Sequence, residues 1–153
     1  MTKHIKIHEN EIYEDDIPEI NDLLRQLSPN GAREINYDVV QEVMKNATVL
    51  VLRDHSPETV RIKNNGRVIG KAMLLYGKKF ISFYGTIEDV VVDERYRGKG
   101  LGKMLISALI EKAKKMGMKH VDLTSNPKRV AANNLYQKTG FEKRDTNVYR
   151  LKL

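Results

Sequence analysis

Three groups of residues in this 153-residue chain have types and spacings that could do chemistry. Gly98, Gly100 and Gly102 alternate with Lys99 and Leu101 behind Arg97, where an apolar helical pattern begins. Glycines at a helix start leave backbone N–H donors bare at the positive end of the helix dipole, which suits a phosphate. Glu88 and Asp89 interrupt an otherwise apolar strand pattern, where desolvation raises a carboxylate's pKa toward the range of a general base. Tyr136, shortly before Gly140-Phe141, keeps its proton at neutral pH with an ordinary pKa of about 10 and suits an acid role.

Spacing narrows the glycine loop. A dinucleotide-binding G-x-G-x-x-G places Lys103 or Leu105 where its third glycine belongs. A P-loop placed on Gly102-Lys103 has Arg97 at its first glycine and Met104 at its hydroxyl. Neither fits. Arg97-Gly98-Lys99-Gly100-Leu101-Gly102 instead resembles the Q/R-x-x-G-x-G/A loop of the GNAT superfamily of N-acetyltransferases, and Val90-Val91-Val92-Asp93 resembles the strand that precedes it there. A second segment, Ala131 to Phe141, resembles that family's A-x-x-L/F-Y-x-x-x-G-F, although many members have Asn where this chain has Arg129.

The elements that must position these residues follow from periodicity. His4 to His8 alternates as a strand. Asp15 and Asp16 stand ahead of Ile17-Pro18 as a helix start, and Ile17, Ile20, Leu23, Leu24 and Leu27 recur at helical spacing. Tyr37, Val40, Val43, Met44 and Ala47 predict a second helix, Thr48 to Arg53 a strand, and 54–58 a polar excursion. Asn64-Asn65-Gly66-Arg67 signals a hairpin turn into a strand from Val68 to Tyr76, and Gly77-Lys78-Lys79 a turn into Phe80 to Val92. The glycine loop opens a helix from Leu101 to about Met116, with Leu101, Met104, Leu105, Ala108 and Leu109 as its buried stripe. His120 to Thr124 reads as a strand parallel to the earlier one, because a helix connects them. Ser125 or Asn126 is expected to cap a helix running to Lys138, and Phe141 to Arg144 with Asn147 to Leu153 to pair as a closing hairpin. The sum is one mixed α/β domain over residues 1–153, an α+β-type sheet that is mostly antiparallel. The resemblance implies the acyl-CoA N-acyltransferase fold, with a central, splayed parallel strand pair flanked by helices.

Composition bounds the rest. Cysteine is absent, so disulfides, a zinc-thiolate site and a cysteine nucleophile are excluded. Residues 1–76 carry 10 basic and 12 acidic side chains and residues 77–153 carry 17 and 8, so the net charge of +7 sits in the half that holds the loop. Without interleaved aromatics or a nucleic-acid motif, an anionic small molecule is the expected partner rather than nucleic acid. No apolar run spans a bilayer and no signal-peptide core is seen, so a cytoplasmic protein without a membrane partner is expected. The four histidines lack ligand spacing, and no metal is expected.

What the resemblance implies is acetyl-CoA as co-substrate and direct acetyl transfer to the primary amine of a small molecule or peptide. Arg97, Gly98, Lys99, Gly100, Leu101 and Gly102 would hold its pyrophosphate. Backbone groups of Val90, Val91 and Val92 would pair with its amide-bearing arm and polarise the thioester carbonyl. Asn133 and Tyr136, on one helix face, would meet the arm and the sulfur. Glu88, directly or through water, or Asp89 would be the base and Tyr136 the acid. Ile87 to Val92 also resembles the strand of glucosamine-phosphate N-acetyltransferases, although Thr124-Ser125-Asn126 lacks that group's acidic residues. Members are often homodimers. The rival reading is an acyl-CoA-binding sensor that keeps the cradle without the chemistry.

Overall fold

The computed structural model describes residues 2–153; Met1, which opens the alternating N-terminal stretch, lies outside the described residues. Five strands, β1 (Ile5–Glu9), β2 (Ala47–Asp54), β3 (Arg67–Lys79), β4 (Ser82–Val92) and β5 (His120–Asp122), form one sheet in chain order. The first four are antiparallel; β5 runs parallel to β4. A parallel neighbour requires a crossover, and α4 (Leu101–Lys115) supplies it. The other helices are α1 (Ile17–Leu27), α2 (Tyr37–Met44), α3 (Pro57–Ile62) and α5 (Val130–Lys138).

Two-residue alternation in the strands builds two cores, one on each face of the sheet. Leu50, Leu52, Ile69, Leu74 and Ile87 face Leu101, Leu105, Ile106 and Leu109 of α4, with Tyr136 of α5. Val49, Val51, Val68 and Val91 face Ile20 and Leu23 of α1 and Val40 of α2. The interior strand β2, covered on both faces, is therefore buried at every position. Each large aliphatic side chain so enclosed contributes about 1.5–3 kcal/mol. Among the described residues no helix is long and apolar enough to cross a membrane.

Four expectations about elements are corrected. The segment 54–58 is no simple excursion, because Pro57 opens the short helix α3. Gly77-Lys78-Lys79 does not turn: β3 continues to Lys79 and the chain reverses at Phe80-Ile81. Gly77 serves instead as a point of close approach, since a Cβ there would lie 2.2 Å from Cζ of Tyr84, its partner across the ladder. The last helix starts at Val130 rather than after Asn126, whose Oδ1 accepts from the Lys128 N–H and closes a turn first. The closing hairpin is absent. Residues 142–153 form no strand, and Val148, Tyr149, Leu151 and Leu153 are exposed. The chain after α5 makes no backbone bond to β5, so the parallel pair lies at the margin of the sheet rather than its centre.

Asp16 precedes α1 as expected, but its side chain caps nothing in that helix. It is fully buried against Arg53 of β2, accepting from Nη1 at 2.9 Å and Nη2 at 2.5 Å, and it also accepts from Lys63 Nζ. A buried guanidinium needs a counter-charge more than the helix needs a cap. Burial opposes ionisation of Asp16, yet the bonds from Arg53 and Lys63 outweigh it and hold the carboxyl below its ordinary range.

Candidate active site

The loop between β4 and α4 is held open by its glycines. Gly98 and Gly100 adopt φ of +78° and +77°, a left-handed conformation that favours glycine. The first bond of α4 runs from the Met104 N–H to the Gly100 carbonyl. Among the described residues, the six backbone N–H groups from Gly98 to Lys103 therefore find no protein acceptor. A Cβ added at Gly98 or Gly100 meets nothing within 4 Å, so the space before these donors is open. Such a row at a helix N-terminus fits a pyrophosphate. Gly102 is different: it lies inside α4, and its missing side chain admits Leu135 of α5.

The loop's charged residues do more bracing than their sequence positions suggest. Arg97 Nε donates to the Val92 carbonyl at 3.0 Å and Nη2 reaches Gln26 Oε1 at 3.4 Å. The same Gln26 oxygen accepts from the Glu94 N–H at 2.9 Å, so α1 anchors the approach to the loop. Lys99 Nζ stands 5.0 Å over the ring of Tyr96, whose hydroxyl donates to Asp54 at 2.8 Å. The Val92 carbonyl, expected to be open to a ligand, is engaged by Arg97.

Upstream, β4 and β5 part company. Their ladder covers only Tyr84 to Thr86, so Ile87 to Val92 have no partner on that side. On its other side β4 carries a bulge: Met73 pairs with Glu88 and Lys71 with Val91, leaving Ala72 opposite both Asp89 and Val90. Asp89 accommodates the extra residue at φ +52°, which costs a non-glycine residue about 1–3 kcal/mol. Regular alternation would send Glu88 and Asp89 to opposite faces. With the bulge, both line one cavity of about 400 Å³ together with Ile87, Val90 and Tyr136. Val91 is withdrawn into the core and does not line it.

Tyr136 is buried on α5, its ring edge-on to Phe141 at 6.0 Å. Burial pushes its phenol up, with Arg129 opposing. Burial also raises Glu88 above the ordinary carboxylate value, the neighbouring Asp89 adds to this, and Arg150 opposes it. The cavity thus holds a carboxyl raised above its ordinary value and a phenol raised above its own, one group able to accept a proton and one able to donate it. Asn133 shares the Tyr136 face but its amide nitrogen is spent on the Asn126 carbonyl at 3.0 Å, bracing the turn before α5.

Three residues at or behind the site escaped sequence reasoning. Arg150 lines the cavity from a segment expected to be a closing strand, and nothing in the sequence signals its return to Glu88. Gln26, on the polar side of α1, carries no local signal either. Lys71 could have been found, because a lysine breaks the apolar run from Val68 to Tyr76. The histidines that looked scattered are partly joined: His8 and His55 meet Nε2 to Nε2 at 3.0 Å.

The family whose profile matches residues 17–141 is described as acetyltransferase (GNAT). A glucosamine 6-phosphate N-acetyltransferase of Trypanosoma brucei brucei is 44% identical over 79 residues, which cover 50% of this chain and 52% of that protein. The Arabidopsis thaliana protein of the same description is 33% identical over 98 residues, covering 62% and 64%. The chain thus spans about half to two-thirds of these relatives. The crystal structure of a Trypanosoma brucei acetyltransferase superposes with a TM-score of 0.74 at 30% identity, covering 97% of this chain and 99% of that one.

Proposed function

Because the chain belongs to the acetyltransferase (GNAT) family, we propose that it moves the acetyl group of acetyl-CoA directly to a primary amine held in the Glu88–Tyr136 cavity. The observation that carries this reading is the row of six unpartnered N–H groups, Gly98 to Lys103, at the end of the strand whose bulge supplies the carboxylates. On this reading residues 1–153 form one acetyltransferase domain.

The roles follow from placement. The loop donors bind the pyrophosphate, and the unpaired edge of β4 from Ile87 offers backbone groups to the amide-bearing arm. Acetyl-CoA supplies the activated thioester. Glu88, directly or through a water, takes a proton from the ammonium or from the attacking amine. Tyr136 returns one to the departing thiolate. Neither residue need bond covalently to the acetyl group, in keeping with a chain that has no cysteine.

The acceptor we favour is an amino-sugar phosphate. Arg129 and Arg150 on the cavity wall offer two guanidinium groups to a phosphate, and the relatives named above carry that description. Free thiol released from acetyl-CoA, followed over a panel of amines, tests this. Glucosamine 6-phosphate should be acetylated with a higher kcat/KM than glucosamine. Equal values would remove the phosphate from the reading. CoA binding without thiol release on any amine would favour the sensor.

A further inference from the structure

Lys71 is a buried cation of the β-sheet that takes no part in the proton transfers assigned to Glu88 and Tyr136. It sits in the middle of β3, paired with Val51 on one side and Val91 on the other, and is 5% exposed. Around it Ile12, Ile20, Val40, Val49 and Met73 line a small cavity of about 110 Å³. Such surroundings suit the apolar residue that the alternation of β3 calls for, and a buried ammonium there is costly unless paired. Its partner is Asp89, whose Oδ2 lies 3.1 Å from Nζ. Asp89 in turn borders both this small cavity and the one that holds Glu88 and Tyr136.

We propose that Lys71 is a positioning residue for acetyl transfer: through Asp89 it ties the bulge of β4 to β3 and neutralises the second carboxylate, so that Glu88 is the free base of the cavity. The proposal rests on the reading of Glu88 as base. Lys71 lines only the small cavity, so its influence reaches the acceptor through Asp89. The tie also explains how Asp89 is kept at φ +52°, because the ion pair draws the bulge residue back across the ladder. Burial lowers the ammonium's pKa and Asp89 opposes that shift, so the pair is mutually dependent. Of the two carboxylates lining the larger cavity, Asp89 is thereby engaged, while Glu88 has no ion-pair partner among the described residues. The charged and titratable groups around Glu88 are Asp89 on its own strand, Arg150 from the C-terminal segment, and Arg129 and Tyr136 from α5 and its approach, with Lys71 behind Asp89.

The test is a direct titration of the Glu88 carboxyl by carbon NMR in the free protein, joined to the pH profile of kcat/KM. Lys71→Met leaves the Asp89 charge uncompensated, so Glu88 should titrate higher by about one pH unit. Asp89→Asn should move it lower. The double variant should follow Asp89→Asn, and Lys71→Arg should restore the native value. The acid limb of the rate profile should shift with each, with little change in the KM for acetyl-CoA. If Lys71→Met fails to fold, Lys71→Gln, which keeps a donor while removing the charge, takes its place with the same expected direction. A Glu88 titration unchanged by neutralising Lys71 overturns the proposal. A protein that binds CoA yet acetylates no amine removes the reading of the reaction instead, and the NMR titration still decides whether Lys71 acts on Glu88.

Discussion

Gly102 of α4 stands so close to Leu135 of α5 that a Cβ on the glycine would lie 3.2 Å from Leu135 Cδ2. This contact joins the two halves of the site, because the donors lie on the loop and first turn that lead into Gly102 and the residue after Leu135 is Tyr136. Gly102→Ala gains helix propensity worth about 1 kcal/mol but must displace Leu135 by a few tenths of an ångström. Its thermal midpoint should therefore change little, while kcat falls because Tyr136 moves with Leu135. Unchanged kcat in a protein of native stability would show that the contact does not set the Tyr136 position.

Gly100 offers a different case. Its φ of +77° disfavours any side chain by about 1–2 kcal/mol, although a Cβ there clashes with nothing. Gly100→Val should lower stability by that amount and weaken CoA binding more than tenfold, since the new side chain enters the space before the donors. Calorimetric titration with CoA checks it. Native affinity would mean that the pyrophosphate lies elsewhere.

Tyr136→Phe removes the proposed acid and little packing, because the ring still meets Phe141. Turnover should fall by about 10²–10⁴-fold with CoA affinity nearly intact. As burial raises the phenol's pKa, the native enzyme should show no basic limb from Tyr136 below pH 10. Unchanged turnover would assign the proton to water or to another group.

The Asp16–Arg53 pair is a matter of stability rather than catalysis. Both side chains are buried, so Arg53→Met leaves the carboxylate with Lys63 as its one cation and the Tyr13 N–H as its other donor, and should cost about 3–5 kcal/mol in chemical denaturation. Asp16 has a folded pKa below its ordinary 3.8. Its contribution is thus present above that value and is lost as pH falls through the depressed one. The variant should lose part of this acid dependence; an unaltered dependence would place the linkage on other groups.

Much of the fold was legible because local patterns agreed with their surroundings. The helix from Leu101 carried its glycine loop, its terminal Gly117 and the Leu101, Leu105 and Leu109 of its apolar stripe, with Ile106 and Ala113 buried where Met104 and Ala108 were expected, and α1 ran from Ile17 to Leu27 as its spacing predicts. The turn at Gly77 misled because a glycine that admits the Tyr84 ring looks, in sequence, like one that turns the chain. Asp16 misled because its partner, Arg53, lies 37 residues away. The same limit applies at the site. Glu88, Asp89 and Tyr136 meet at one cavity, as their types suggested, but the bulge that brings both carboxylates there depends on pairing with β3. Arg97 and Asn133 read in the sequence as contacts for a ligand, and the bonds that commit them to Val92 and Asn126 had no signal there.

Acetyl transfer to an amine with Glu88 as base is read out by thiol release from acetyl-CoA with glucosamine 6-phosphate, measured across pH for the native chain and Glu88→Gln. The raised pKa of Glu88 means that kcat/KM should fall on the acid side at a pH above the ordinary carboxylate value of 4.5. Glu88→Gln should lower kcat by about 10²–10⁴-fold and abolish that limb. A native profile and rate in Glu88→Gln would show that Glu88 is not the base, and thiol release no faster with the amine than without it would show that no amine is acetylated.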